Sequence, residues 1–288
     1  MAQSNQQPEV AVLVSTYQRP QHLRRSLEAL RCQDVPAASM EVVVTDDGSE
    51  DETPQIVEEF AATVPFRVHW TTHPHTGFHL SRSRNEGVAA STAPYIIFLD
   101  GDCLVTQDHV RQHLRLRQPR TVLAGYFYAL DQATTEQIDL AAVRRGDFTK
   151  NVPAAELRRV RKLDWKARWY NMLHHPTKPK LHGASVGVWR SDYVAINGYD
   201  EEFRGWGCED DDLRLRLRAS GVTIRSLVRW AKIYHMWHPP TSTTPVRWKD
   251  GLNVRLLEGP SRPVRCHLGL DQHLWDERRE TTALCRAG

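Results

Sequence analysis

The chain has 288 residues, 40% of them hydrophobic, with 38 basic and 35 acidic side chains and a formal charge of +3. That length accommodates one large α/β domain with or without an appended subdomain, and a balance this close to neutral gives no global field for nucleic acid or an anionic membrane. The longest apolar runs, at 10–14 and 95–99, are strand-length and far short of the ~20 residues of a membrane span.

In chain order, residues 10–15 read as a first strand. Pro20 stands where a helix begins, and Leu23, Leu27 and Leu30 recur at helical spacing. A second strand at 41–45 runs into Asp46-Asp47-Gly48-Ser49 and a helix holding Ile56, Val57 and Phe60. A third strand is expected at 66–70, a helix from Gly77 through Ala89, and a fourth strand at 95–99. Thr106 is placed to cap a helix reaching about Leu116, and 121–128 reads as a further strand. The alternation predicts an α/β protein whose mostly parallel sheet carries helices on both faces.

From 129 to 180 the periodicity weakens and charge rises, with Arg144-Arg145 and Arg158-Arg159-Val160-Arg161-Lys162. Helices and a mobile excursion are expected there. Order returns with a strand at 184–189, a short helix at 191–196 and a helix at 209–219, with Gly221 at the position where helices commonly end. A strand near 225–230 leads to Tyr234-His235-Met236-Trp237-His238-Pro239-Pro240. The tail after Pro245 bears Arg and Trp with little pattern, and Trp248 and Trp275 read as packing residues.

The chemistry gathers at the strand ends, where open α/β sheets bind ligands. Strand 95–99 delivers Asp100 and Asp102, two carboxylates one residue apart, which suits a hard divalent cation such as Mn²⁺ or Mg²⁺. Such an ion calls for an anionic partner, and a diphosphate is the usual one. Ser15, Thr16 and Tyr17 follow the first strand, and Asp46 and Asp47 follow the second. Tyr17 suits packing on a nucleobase, while Asp46 suits accepting a hydrogen bond from a ring N–H such as that of uracil. The competing reading of Asp46-Asp47-Gly48-Ser49 is a turn and helix cap, because Asp, Gly and Ser favour both. Downstream, Gly205-Trp206-Gly207-Cys208-Glu209-Asp210-Asp211-Asp212 opens a helix whose N-terminus favours ionised carboxylates. A transfer to a hydroxyl needs one carboxylate to take its proton. The bland alternative is a capped, solvated helix start.

Val12-Leu13-Val14-Ser15-Thr16-Tyr17, Val43-Val44-Thr45-Asp46-Asp47-Gly48-Ser49, Arg84-Asn85-Glu86-Gly87 and Phe98-Leu99-Asp100-Gly101-Asp102 resemble, in order and spacing, the GT-A domain of family 2 glycosyltransferases. The Gly205 to Asp212 box is similar to the Gly-Trp-Gly-Gly-Glu-Asp-Asp-Asp box of β-1,4-galactosyltransferases and chondroitin-type polymerases. The resemblance spans roughly residues 10–240 and implies a metal-dependent, inverting transferase that uses a nucleotide diphosphate sugar, UDP-linked, with Mn²⁺ or Mg²⁺. It implies that Ser15, Tyr17 and Asp46 hold the nucleoside, and that Arg84 lies near the diphosphate or base, with Arg82 a close competitor. Asp102 becomes the direct metal ligand, and Asp100 serves both metal and ribose. Tyr234-His235 matches a segment that supplies a third ligand, His235, with His238 the weaker candidate. Trp206 lines the sugar and acceptor pocket, Glu209 and Asp211 bind sugar hydroxyls, and Asp210 is the general base. Cys208 departs from the usual Gly.

The organisation expected is a disordered 1–8, a nucleotide-sugar half at 9–128, a helical and mobile insertion at 129–180, an acceptor and catalytic half at 181–240, and a C-terminal acceptor-side extension at 241–288. Residues 1–8 are polar and lack a signal core. The cysteines (Cys32, Cys103, Cys208, Cys266, Cys285) show no close pairing, so a cytoplasmic protein with reduced thiols is expected. The acceptor is open among a glycan, a lipid-linked sugar, a peptide and a small molecule. The Arg158 to Lys162 run suits an acidic acceptor or lipid head groups, against the plainer reading of a solvated helix face. His73, His75, His174 and His175 read as surface or loop residues. A dinucleotide oxidoreductase would need Gly-x-Gly-x-x-Gly after the first strand, where Ser15-Thr16-Tyr17-Gln18-Arg19-Pro20 stands. A nucleotidyltransferase, or a non-catalytic sugar-binding protein on a transferase fold, are the remaining alternatives.

Overall fold

Continuous apolar runs suit strands covered on both faces, and three of them form the middle of the molecule. A computed structural model of the chain describes residues 7–150, 152–175, 178–181, 183–240, 244, 248–251, 253–259, 262–274 and 281–283. Strands β1 (Val10–Thr16), β2 (Met40–Asp46), β3 (Arg67–Thr72) and β4 (Tyr95–Asp100) alternate with helices α1 (Pro20–Arg31), α2 (Thr53–Ala61) and α3 (Leu80–Ala90). Then come β5 (Cys103–Val105), α4 (His109–Leu116), β6 (Thr121–Ala124), β7 (Phe127–Ala129), α5 (Gln132–Gln137), α6 (Leu140–Arg145) and the long α7 (Ala154–Met172). The remainder is β8 (Ser185–Trp189), α8 (Arg190–Ala195), α9 (Glu209–Ala219), β9 (Thr223–Ser226), β10 (Ile233–His235), α10 (Val254–Leu257), α11 (Asp271–Leu274) and β11 (Thr281–Ala283).

The large sheet has eight strands in the order β11-β3-β2-β1-β4-β8-β6-β9, and a second sheet has three in the order β5-β10-β7. Strands β3, β2, β1 and β4 run parallel, whereas β8 is antiparallel to both β4 and β6. Alternate residues of a strand face opposite sides, and the core divides accordingly. Val10, Val12 and Val14 pack with Leu23 and Leu27 of α1 and Ile56 of α2. Ala11, Leu13, Ile96 and Phe98 pack with Val88 of α3, Tyr193 of α8 and Leu213 and Leu217 of α9. Fully burying a leucine contributes about 1.5–3 kcal/mol, so Leu213 and Leu217, both at 0% exposure, pin α9 firmly to the sheet.

The expected strand at 121–128 is divided between the two sheets. Its break is at Gly125, where a Cβ would stand 2.6 Å from Ile233 Cδ1 and 3.1 Å from Ser185 O, so a side chain there would crowd the step from one sheet to the other. Thr106 does not cap α4; its hydroxyl donates to Asp108, and the helix starts at His109. The strand expected near 225–230 ends at Ser226, and 227–230 turns instead, with Trp230 N–H donating to Leu227 O. Among the described residues of 129–180 lie three α-helices, including the 19-residue α7. Among the described residues no helix is long and apolar enough to cross a membrane. Cys32, Cys103, Cys208 and Cys266 are free thiols, and Cys285, Trp275 and residues 1–6 lie outside the described residues.

Candidate active site

Register sets the site. Ser15 pairs with Asp100 and Thr16 with Asp46, so the carboxyl ends of β1, β2 and β4 finish level. Beyond them opens a cleft of about 570 Å³. Its walls include Ser15, Tyr17, Arg84, Asp100, Asp102, Trp206, Glu209, Asp210, Asp211 and His235, so all but one of the site residues read from sequence converge on it.

The exception is Asp46, 1% exposed. Its carboxylate accepts from Ser49 N and Oγ and from Thr72 Oγ1, the turn-capping alternative. The acid that lines the cleft at this point is Asp47. It accepts from His73 Nε2 at 2.8 Å and from the His79 backbone N–H, while its own backbone carbonyl lies 2.9 Å from His75 Nδ1. The His75 ring stacks on Tyr17 with centroids 4.1 Å apart. His73 is therefore no surface histidine: it is 6% exposed and bridges Asp47 to Glu86 at 2.7 Å. Burial alone would lower its pKa, but these two carboxylates outweigh that and carry it up to about 9.

Beside β4 the second sheet completes a ligand cluster. Strand β10 runs antiparallel to β5 with His235 opposite Cys103, and Met236 N–H donates to Asp102 O. That pairing sets His235 Nε2 3.5 Å and His238 Nε2 3.1 Å from the Asp102 carboxylate, with Arg19 Nη1 at 2.8 Å. Burial would raise the Asp102 pKa, but the two imidazoles and Arg19 depress it far below the usual carboxylate range. Ligand atoms of Asp102, His235 and His238 lie within 4.8 Å of one another, as do those of Asp100, Asp102 and Cys103. A carboxylate with two imidazoles is a mixed oxygen and nitrogen donor set that a divalent ion such as Mn²⁺ can accept.

Arg84 forms part of the cleft wall but is itself almost wholly buried. Its side chain is 1% exposed, and its guanidinium donates through Nη2 to Asp100 at 3.0 Å and through Nη1 to Asp210 at 3.1 Å. Tyr199 OH also donates to Asp210 Oδ1 at 2.9 Å, and the Gly183 N–H donates to Oδ2 at 2.7 Å. A Cβ at Gly183 would approach Arg84 Nη2 to 2.4 Å, so that position has no room for a side chain. The rest of the Arg84-Asn85-Glu86-Gly87 stretch is structural. Asn85 ties down the 199–201 loop, Glu86 holds His73, and Gly87 lies against Leu13 and Thr45. Arg82 pairs with Glu86 at 2.8 Å.

On the far wall, α9 begins with four acids in unequal settings. Glu209 is pushed up to about 8, by burial first and then by Asp210, and its Oε2 has no hydrogen-bond partner. Asp211 is held low by Arg214 and Lys180, which outweigh its burial. Asp212 forms a buried pair with Arg216 at 2.7 Å. Cys208 precedes the helix at φ +75°, the left-handed region where a residue with a Cβ is strained by roughly 1–2 kcal/mol. Trp206 stands at the rim, 41% exposed.

Sequence reasoning assigns no role to Arg19, Tyr199 or Gly183, gives the base contact to Asp46 over its neighbour Asp47, and ranks His238 below His235. Asp47, in the same strand-end pair, and Arg19, directly before a helix-starting proline, carry local signals.

Residues 11–163 match the model of glycosyl transferase family 2, and residues 162–239 match that of the N-terminal domain of galactosyltransferase. The chain is 28% identical over 234 residues to the validoxylamine A glucosyltransferase of Streptomyces hygroscopicus subsp. jinggangensis (strain 5008), covering 75% of this chain and 53% of that protein. It is 24% identical over 259 residues to the chondroitin synthase of Escherichia coli, covering 85% of this chain and 37% of that protein. The chain thus spans about half, or less, of the length of the curated relatives it matches. Among solved structures, the mannosyltransferase PcManGT from Pyrobaculum calidifontis, in complex with GDP-Man and Mn²⁺, superposes with a TM-score of 0.55 at 20% identity, covering 81% of this chain and 58% of that one. S. aureus TarS 1-349 in complex with UDP-GlcNAc gives 0.55 at 19% identity, covering 86% and 65%. The fold is GT-A.

Proposed function

The chain belongs to glycosyl transferase family 2, and we propose that its cleft moves a hexose or N-acetylhexosamine from a UDP-linked donor to an acceptor hydroxyl, inverting the anomeric carbon. The observation that carries this reading is the approach of Asp100, Asp102 and Asp210 around one cleft, with Arg84 bonded to both Asp100 and Asp210. Acids more than a hundred positions apart are brought together where a donor and an acceptor would meet.

The roles follow from the contacts. Tyr17, stacked on His75, offers a flat wall for the base, and Asp47 is better disposed than Asp46 to accept its N–H. Asp102, His235 and His238 would hold Mn²⁺ or Mg²⁺, with Asp100 beside them. When bound, the ion supplies Lewis-acid stabilisation of the leaving diphosphate, so no protein acid is needed there. Asp210 takes the acceptor proton as the hydroxyl oxygen attacks the anomeric carbon in line and the bond to the diphosphate oxygen breaks. Its Oδ1 already accepts from Arg84 and Tyr199, whereas Oδ2, among the described residues, accepts from Gly183 N–H alone and keeps a lone pair for that proton. Glu209, neutral near pH 7, is suited to donating a hydrogen bond to a sugar oxygen. Trp206 offers an apolar face to a sugar ring.

A donor panel of UDP-galactose, UDP-N-acetylhexosamines, UDP-glucose and GDP-mannose, read by nucleoside diphosphate release with and without Mn²⁺, tests the reading. Release from one UDP-sugar, raised by Mn²⁺ and by an acceptor drawn from glycans, lipid-linked sugars, peptides and small polyols, is expected. Donor binding with no release across that whole acceptor set would leave the non-catalytic binding protein as the better account.

A further inference from the structure

Helix α7 packs inward through Val160 and Ala167, 1% and 8% exposed. At 3.6 residues per turn, positions 158, 161, 162, 165, 169 and 172 fall on the opposite stripe. That stripe exposes Trp165 to 60%, Trp169 to 43% and Met172 to 60%, with Leu173 beside them at 65%. The two indoles contact each other edge to face at 5.6 Å. Around them stand Arg158, Arg161, Lys162, Lys166 and Arg168, all exposed. Neither acid of the helix shares this face. Glu156 is taken by Arg159 and the Ala129 N–H, and Asp164 reaches Ser226 Oγ. Alongside runs a groove of about 280 Å³ whose walls include Arg168, Arg225, Arg229 and Trp230, with one acid, Asp164, among them. The overall charge of +3 conceals this local concentration.

We propose that this outward face of α7 docks the protein on an anionic phospholipid surface. Large apolar residues grouped on a surface mark an interaction site, and here they share one exposed stripe with basic side chains. Indoles settle at the headgroup level, and Arg and Lys flank them with their charges toward the phosphates. A second copy of the same face would set five cations against five. A soluble polyanion would satisfy the charges but leave Met172 and Leu173 in water. An anionic bilayer satisfies both. The underside of α7 roofs a cavity of about 220 Å³ that includes Lys180, which also lines the catalytic cleft.

Co-sedimentation of the full chain with phosphatidylcholine vesicles, with and without phosphatidylglycerol, tests this without any turnover. Binding only to the anionic vesicles, lost at high salt, is expected. The triple variant R158S/R161S/K162S should bind about 100-fold more weakly, at roughly 1 kcal/mol per basic residue. All three side chains are exposed, so its melting temperature and donor turnover should not change. In the unaltered protein, brominated lipid should quench tryptophan fluorescence, and W165S/W169S should remove most of that quenching. Equal binding to neutral vesicles, no vesicle binding, or full retention by the triple variant would each overturn the proposal. So would self-association, or binding to heparin alone, that vanishes in W165S/W169S while vesicles are ignored.

Discussion

The cleft has two acid clusters, Asp100 with Asp102 and Glu209 with Asp210, and each treats its two members differently. In the first, Arg19, His235 and His238 all converge on Asp102, while Asp100 has Arg84. Burial pushes Asp100 up, and Arg84 offsets this only in part, whereas Asp102 is driven down. In the second, Arg84, Tyr199 and the Gly183 N–H all donate to Asp210, and Glu209 Oε2 receives nothing. Acids that are adjacent or nearly so in the chain therefore separate into one that accepts from three groups and one with fewer donors whose pKa burial raises. Environments that push paired titratable groups apart are how a site assigns different proton roles. Arg84 belongs to both clusters, so neither is set independently of the other.

The sharpest way to break this contrast is to exchange its members. Asp210→Asn should lower transfer about 10³-fold, within the range for a lost general base, while calorimetric donor binding stays near the starting value. A variant that keeps its rate would remove the base from position 210. Arg84→Met strands two carboxylates near a buried hole and should cost about 3–5 kcal/mol in denaturant unfolding, as for other half-removed buried pairs. A loss under about 1 kcal/mol would show that the clusters are not joined through it. His238→Ala should weaken Mn²⁺ affinity by at least the ~10-fold typical of a lost supporting group, read as a smaller Mn²⁺-induced rise in melting temperature. If only His235→Ala does so, His238 is a neighbour and not a ligand.

The remaining effects lie in pH. Glu209 has a folded pKa of about 8 against an ordinary 4.5, so the folded state holds its proton more tightly. Stability from this group is fully present below about 4.5 and erodes as pH rises toward 8. Glu209→Gln should flatten that part of the stability profile, by on the order of 2 kcal/mol after discounting for coupling. His73, raised from 6.5 to about 9, contributes stability that is complete below 6.5 and lost as pH climbs through 9. His73→Gln should remove that later slope. An unchanged profile in both variants would mean that these settings are wrong.

Much of the frame was legible. The cores of β1, β2 and β4 showed as apolar runs because central parallel strands are covered on both faces, and α9 was bounded by its acids and Gly221 as expected. Helix α7 was harder to see. Its outward face is as rich in tryptophan and methionine as a core face, which blurs the period that separates inside from outside. The division of 121–128 was also hidden, because which sheet a strand joins depends on partners distant in sequence. At the site, Asp46 and Asp47 are indistinguishable as letters. The choice between turn cap and cleft wall falls to Ser49, Thr72 and the three histidines around them.

Alone, the order of residues determined where strands end in acids and where a helix opens with them, since apolar runs, turn formers and charges act over a few neighbours. Three-dimensional packing decided what those acids are. Proton affinity follows burial and facing charge for Asp102 and Glu209, and the groups that bond to Asp102 and Asp210 arrive from residues 19, 84, 183, 199, 235 and 238, which only the folded chain brings within a few ångströms.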